Sequence, residues 1–68
     1  SFVEDEISIA IEETKLVSQI HSLAEVISTK YNNGRVVLNI RTSKENKERI
    51  KKLLGKNEKN TIEYKEEG

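Results

Sequence analysis

The sequence predicts a small α+β domain whose elements follow the order β, α, β, β, α, β. Three observations predict it. Apolar and polar residues alternate in four segments, which is the period of half-buried strands. Between these segments the apolar spacing changes twice to that of an amphipathic helix. An Asn-Gly pair also separates two of the alternating segments, which is typical of a tight hairpin. With 68 residues, the chain is expected to form one domain over residues 1–68.

The first strand and the first helix are predicted from a change of period near Thr14. Four apolar residues of one parity predict a strand with one buried face: Val3, Ile7, Ile9 and Ile11. Phe2 is expected to cover the opposite face. Thr14 is a typical N-cap residue, and an apolar stripe at helical spacing follows it: Leu16, Val17, Ile20, Leu23 and Ala24. An amphipathic helix is therefore expected after Thr14.

The second and third strands are predicted to form a hairpin. Asn33 and Gly34 can adopt the positive φ angles of a type I′ turn. A two-residue loop at this place fixes three cross-strand pairs: Tyr31 with Val36, Thr29 with Leu38, and Ile27 with Ile40. All six side chains are then expected on one face of the sheet.

A second helix and a short strand are predicted to complete the domain. Thr42 or Ser43 is expected to cap the helix, with Glu45 at capping-box spacing from Thr42. Its apolar stripe consists of Ile50, Leu53 and Leu54, and the helix is expected to stop at Gly55. The alternating residues Ile62 and Tyr64 predict a last strand that frays over residues 65–68.

This order of elements predicts a ferredoxin-like fold, in which a four-stranded antiparallel sheet carries two helices on one face. A three-stranded alternative has the first helix continue through Ile27 to Tyr31. That alternative leaves Val36, Leu38 and Ile40 without their cross-strand partners.

Composition argues against several kinds of site. The chain has no cysteine and one histidine, so disulfide frameworks, thiolate chemistry and zinc fingers are not expected. The three glycines do not form a phosphate-binding loop. His21 is expected at the surface rather than in a catalytic triad. The acidic residues Glu4, Asp5, Glu6, Glu12 and Glu13 are expected to be solvated rather than metal ligands. We therefore expect no catalytic, metal or cofactor-binding residue in this chain, and no membrane span.

Charge is distributed unevenly along the chain. Residues 1–34 carry two lysines and six acidic residues, a net charge of −4, whereas residues 35–68 carry ten Lys or Arg and six acidic residues, a net charge of +4. Basic residues of the second helix are the candidates for contact with RNA or an acidic partner: Lys44, Lys47, Arg49, Lys51, Lys52 and Lys56. Lys44, Lys47 and Lys51 share one face at i, i+3 and i+7. The alternative is a solvated helix whose lysines interact with its own Glu45 and Glu48.

Ten residues fall at the places of a known family pattern: Leu16, Ile20, His21, Glu25, Val26, Tyr31, Gly34, Val36, Leu38 and Ile40. Over residues 7–54, the chain thereby resembles the small C-terminal domain of the HflX family of ribosome-associated GTPases. It departs from that family where the first strand ends, because Glu12-Glu13-Thr14 stands in place of a Pro-Tyr step. The chain is similar also to the C-terminal domain of YigZ and IMPACT proteins, and to domain V of elongation factor G.

The resemblance implies an accessory module of a cytoplasmic GTPase, without catalysis of its own. Its partners would be the large ribosomal subunit, including ribosomal RNA, or its own GTPase domain, and that neighbouring domain would hold GTP and magnesium. If the second helix contacts RNA, replacing Lys47 and Lys51 by glutamate is expected to weaken ribosome binding. The melting temperature is expected to stay nearly unchanged.

One other function stays open, and the sequence argues against a third. The chain is compatible with a self-associating regulatory module in which strand edges pair two copies around a small ligand. An acylphosphatase-like activity would need a basic phosphate-binding loop after the first strand, and Glu12 and Glu13 would repel phosphate at that place. Salt dependence separates the first two hypotheses, because contacts with phosphates weaken steeply with salt, whereas pairing of strand edges does not.

Overall fold

Six elements follow one another in a computed structural model that describes residues 1–56 and the backbone of residues 61–63. They are β1 (Phe2–Ala10), α1 (Thr14–Leu23), β2 (Glu25–Asn32), β3 (Arg35–Ser43), α2 (Lys44–Gly55) and β4 (Thr61–Glu63). Because α1 ends at Leu23 and a strand follows it, the alternative with a longer first helix is wrong. The predicted strand residue Tyr64 and the predicted frayed end, residues 65–68, lie outside the described residues.

The strands form an antiparallel sheet in which β1 and β3 are the central pair. Their register runs from Phe2 opposite Ser43 to Ala10 opposite Arg35. β2 flanks β3, and the three-residue β4 pairs with β1, so the order is β2-β3-β1-β4. The predicted α+β class, with an antiparallel sheet and two helices, is confirmed.

Both helices cover the same face of the sheet. Side chains alternate between the two faces of a strand, so one parity of β1 and of β3 points toward the helices. Among the described residues, one cluster of buried apolar side chains forms the core: Ile7, Ile9, Leu16, Ile20, Val36, Leu38, Ile40, Ile50 and Leu54. Each of them lies at an apolar position that the sequence period predicts, although the period also predicts buried positions for Ile11, Ile27 and Tyr31, which are exposed.

The first strand is shorter than its apolar alternation predicts. It ends at Ala10, and Ile11 follows in a turn, where it is 47% exposed and its N–H donates to the Gly34 carbonyl oxygen at 2.9 Å. Phe2 lies on the face opposite the core but is 69% exposed, with the Arg41 guanidinium 5.3 Å from its ring centroid. Phe2 therefore makes a cation–π contact with Arg41 and does not cover that face.

The hairpin has the predicted turn but not the whole predicted register. Asn33 and Gly34 have φ angles of 50° and 75°, as a type I′ turn requires. Tyr31 pairs with Val36 and Thr29 with Leu38, as predicted, but Ile40 pairs with Val26 instead of Ile27. A β-bulge between Val26 and Ser28 shifts the register by one residue, and Ile27 is 47% exposed.

The predicted buried face of β2 is also wrong in part. Thr29 is exposed, and Tyr31 is 72% exposed, although their partners in β3 are buried. β2 is the outermost strand on its side of the sheet, whereas the buried core residues of the sheet come from β1 and β3. Only Val26 of β2 packs against the core cluster.

The first helix begins differently from the prediction, whereas the second helix is capped by Ser43, one of the two residues predicted to cap it. Thr14 is the first residue of α1, and the N-cap is Glu13, whose side chain makes no capping hydrogen bond. Ser43 caps α2, because its hydroxyl oxygen accepts a hydrogen bond from the Asn46 N–H at 3.1 Å. The capping box predicted between Thr42 and Glu45 is therefore not formed.

Thr42 instead connects the two helices. Its hydroxyl donates to the Leu23 carbonyl oxygen at 2.7 Å, and the Asn46 side-chain amide donates to the same oxygen at 3.0 Å. Leu23 is the last residue of α1, and Asn46 lies in the first turn of α2. These bonds satisfy a carbonyl that has no partner within its own helix, and they hold the end of α1 beside the start of α2.

Candidate partner-contact surface

The six basic residues predicted to contact a partner lie on more than one side of α2. Ile50 and Leu54 are buried against the sheet, and Lys47 precedes them on the same side at a spacing of three and seven residues. Lys51 lies next to this buried side, and both lysines are only partly exposed. The other four candidates are exposed: Lys44, Arg49, Lys52 and Lys56.

Lys47 forms an ion pair with a buried carboxylate. Asp5 lies on the helix-facing side of β1 and is 6% exposed, and its Oδ1 is 3.6 Å from Nζ of Lys47. Transfer of a carboxylate from water to a protein interior is costly unless a cation or hydrogen bonds compensate it. The expectation that Asp5 is solvated is therefore wrong. A glutamate at position 47 would place a second negative charge beside Asp5, so the melting temperature of that variant should fall.

Lys51 is paired within its own helix. Its Nζ is 3.5 Å from Oε2 of Glu48, and the two side chains are 38% and 65% exposed. An exposed pair at this spacing stabilises a helix by about 0.3 to 0.5 kcal/mol. Lys51 therefore matches the alternative in which lysines of α2 interact with its own glutamates.

Three of the exposed cations form a stripe on the outer side of α2. Arg49, Lys52 and Lys56 follow at i, i+3 and i+7, so they lie on one face. Arg49 donates to Oδ1 of Asn46 at 2.6 Å, and neither Lys52 nor Lys56 has an ion pair within residues 1–56. We call Arg49, Lys52 and Lys56 the outer stripe. The sequence pattern places Lys44, Lys47 and Lys51 on one face, but Lys47 and Lys51 are only partly exposed. The three basic residues that are exposed at the same i, i+3, i+7 spacing are those of the outer stripe.

A groove of about 300 Å³ separates the start of α1 from the end of α2. It is lined by Glu13, Lys15, Leu16, Gln19, Leu53 and Lys56. Lys15 is exposed. The sequence did not indicate it as a contact residue, because only the packing of the two helices brings it close to α2. Its proximity to Lys56 extends the basic surface from α2 onto α1.

A second groove, of about 370 Å³, is mostly apolar. It is lined by Ile11, Thr14, Val17, Tyr31 and Val36. Ile11 and Tyr31, which are 47% and 72% exposed, contribute apolar surface to this groove. Such a surface suits contact with another protein segment.

The face of the sheet away from the helices carries mostly polar side chains, although Phe2 and Val37 also lie on it. Arg35 spans β3 and β1 there, since its Nε donates to Oγ of Ser8 at 2.7 Å and its Nη2 donates to the Ser8 carbonyl oxygen at 3.0 Å. Glu4 and Glu25 flank Arg41 on opposite sides in the sheet register. This face carries both positive and negative residues, so it does not form a basic surface.

Other candidate chemistry has no assembled site in the described part of the chain. His21 is exposed, and the neighbouring Ser22 hydroxyl donates to the Ser18 carbonyl oxygen at 3.3 Å, a contact within one helix. Over residues 1–56, no three His, Asp or Glu residues lie together as metal ligands would. No helix among these residues has the length and apolar character that crossing a membrane requires.

Searches against protein-family models, curated proteins and solved structures find no match to this chain.

Proposed function

We propose that this chain is an accessory, ferredoxin-like module of a ribosome-associated GTPase, and that it contacts ribosomal RNA through the outer side of α2. The residues that resemble the HflX C-terminal domain support the choice of parent protein. The strand order β2-β3-β1-β4, with both helices on one face, supports the ferredoxin-like arrangement. The module would work in the cytoplasm, where ribosomes are.

The observation that carries the RNA contact is the outer stripe. Its cations are exposed on one helix face, and Lys52 and Lys56 have no carboxylate partner within residues 1–56. Exposed cations in a row can each neutralise one backbone phosphate, and the counterions released from the RNA favour binding. Lys44 is exposed in the first turn of α2 but lies off the face of the outer stripe, and the exposed Glu45, four residues before Arg49, lies on it.

The chain contributes no catalytic group to this function. Gly34 lies in the hairpin turn and Gly55 is the last residue of α2, so neither belongs to a loop that could surround a phosphate. Over residues 1–56, the glycines therefore offer no loop that suits the phosphates of GTP. Hydrolysis would be the task of a neighbouring domain of the parent protein.

Packing on that GTPase domain is the second contact that the resemblance implies. The apolar groove beside Tyr31 favours it, since exposed Ile11 and Tyr31 offer a surface that a folded neighbour can cover. Interdomain packing and RNA contact are compatible, because they use different sides of the chain.

Self-association through strand edges remains the alternative function. The free edge of β2 favours it, but that edge carries two features that oppose pairing with another strand. A β-bulge between Val26 and Ser28 distorts it, and the exposed Lys30 places a charge in its middle. For this reason we rank RNA contact above self-association.

Co-sedimentation with purified large ribosomal subunits tests the proposal. The chain should pellet with the subunits at low salt and be released as salt rises, with a light-scattering mass of one copy before mixing. Lys52→Glu should weaken pelleting, whereas Lys30→Glu changes the charge equally on the exposed edge strand and should leave pelleting unchanged.

Any of three results would contradict the proposal. Pelleting that does not depend on salt would exclude a phosphate-contacting surface. Equal binding by the Lys52→Glu and Lys30→Glu variants would show that the location of the positive charge does not matter. Absence of pelleting together with a dimer mass would favour the self-associating module.

A further inference from the structure

The basic surface of this chain is built by two helices rather than one. The end of α1 is held beside the start of α2 by the hydrogen bonds to the Leu23 carbonyl oxygen. The helices therefore run antiparallel, which brings the first turn of α1 next to the last turn of α2. As a result, Lys15 and Lys56 line the same groove although 41 positions separate them in the sequence.

The two lysines and the amide of this groove are groups that bind an anion. Lys15 and Lys56 are both exposed, and neither has an ion pair within residues 1–56. Gln19 supplies an amide, and Leu16 and Leu53 line the rest together with Glu13. Among the described residues, Glu13 is the one carboxylate that lines the groove, and it would repel the same anion.

We propose that the RNA-contacting surface extends across this groove, with one backbone phosphate bound between Lys15 and Lys56. The inference rests on the proposed function, which places RNA against the outer stripe. Lys56 belongs both to that stripe and to the groove, so an RNA backbone that follows the stripe toward the end of α2 reaches the groove next. Lys15 is then a phosphate-contacting residue, and Glu13 lowers the affinity of the site.

The proposal predicts opposite effects for two neighbouring residues. Each phosphate contact contributes about 0.8 to the slope of log affinity against log salt, so the slope for Lys15→Gln should be shallower by about 0.8. At 0.15 M salt, the loss of such a contact corresponds to an affinity for large ribosomal subunits that is about fivefold lower. Glu13→Gln should raise the affinity about twofold, since it removes a charge that repels the phosphate.

Matched variants separate these effects from a general change of charge. Lys30→Gln removes a lysine from the exposed edge strand, and Glu12→Gln removes an exposed carboxylate that does not line the groove. Both should bind as the unmodified chain does. Lys15→Arg keeps the charge and should retain most of the affinity. Circular dichroism of each variant checks that its fold is unchanged.

The experiment is co-sedimentation of the 68-residue chain and these variants with purified large ribosomal subunits over a series of salt concentrations. The expected result is weaker binding for Lys15→Gln and stronger binding for Glu13→Gln. If both match their controls while Lys52→Glu still weakens binding, the extension across the groove is wrong and the proposed function stands. If Lys52→Glu has no effect either, the proposed function fails, and this inference fails with it.

Discussion

The ion pair between Asp5 and Lys47 gives the sharpest test of how this fold is stabilised. Lys47→Met keeps a long side chain on α2 but removes the cation, leaving Asp5 with its carboxylate 6% exposed. Removal of one partner from a buried pair is costly because the other charge stays out of water. We therefore expect this single change to destabilise the domain more than replacement of any exposed lysine of α2.

The magnitude follows from the geometry. At 3.6 Å two unit charges attract by about 4 to 5 kcal/mol at an effective dielectric constant near 20, whereas exposed pairs contribute at most about 1 kcal/mol. The Lys47 side chain is 22% exposed, so the pair lies between these limits, and we expect a loss of about 2 kcal/mol. For a domain of this size, that loss lowers the melting temperature by roughly 8 to 16 °C.

Asp5→Asn should cost less, about 1 kcal/mol, because the flexible stem of Lys47 can carry its ammonium group into water. Replacing both residues, as Asp5→Leu with Lys47→Met, should recover most of the lost stability, since an apolar pair of similar volume needs no compensation. This order of stabilities distinguishes a buried carboxylate from a simple loss of surface charge.

Urea denaturation followed by circular dichroism measures these differences, with the melting temperature as a second readout. Lys44→Met is the matched control, because Lys44 is exposed on the same helix and has no ion pair within residues 1–56. It should change the free energy of unfolding by less than about 0.5 kcal/mol. If Lys47→Met is no more destabilising than Lys44→Met, the pair does not stabilise the fold and the reasoning is refuted.

Three further changes test the turn, the cap and the connection between the helices, each by urea denaturation. Gly34→Ala should destabilise the domain by about 1 kcal/mol, because the φ angle of 75° at this position strains a residue with a Cβ atom. Gly55→Ala, in the helix, should be neutral or stabilising, and equal effects of the two changes would contradict this explanation. Ser43→Ala should cost about 1 kcal/mol through loss of the α2 cap, and Ser43→Asp should restore it. Thr42→Val should cost about 1 to 2 kcal/mol, since it removes a buried hydroxyl that bonds to the end of α1; an unchanged urea midpoint would argue against that bond.

The sequence by itself determined the order of the strands and helices, and every residue of the core cluster lies at a position that its apolar period marks. The spacing of apolar residues distinguishes strands from helices because each type of element has its own period of side-chain direction along the chain. That period depends only on residues that are close in sequence. The type I′ turn at Asn33 and Gly34 was predictable for the same reason, since positive φ angles are a property of these two residue types.

The tertiary structure alone decided the register beyond the turn. The pairs closest to the turn agree with the prediction, but the bulge between Val26 and Ser28 shifts the rest by one residue. Both registers begin from the same hairpin turn. Packing of Val26 against the core cluster, while Ile27 stays 47% exposed, distinguishes them, and no local pattern in β2 indicates it.

The candidate site was likewise predictable as a helix rich in cations, but not residue by residue. Six basic residues of α2 are equivalent in sequence, yet the structure pairs Lys47 with a buried carboxylate 42 positions away and leaves the outer stripe exposed. Lys15 joins that surface only because α1 and α2 run antiparallel. Local sequence determines which residues are charged, whereas the charges that they meet depend on contacts between elements that are distant along the chain.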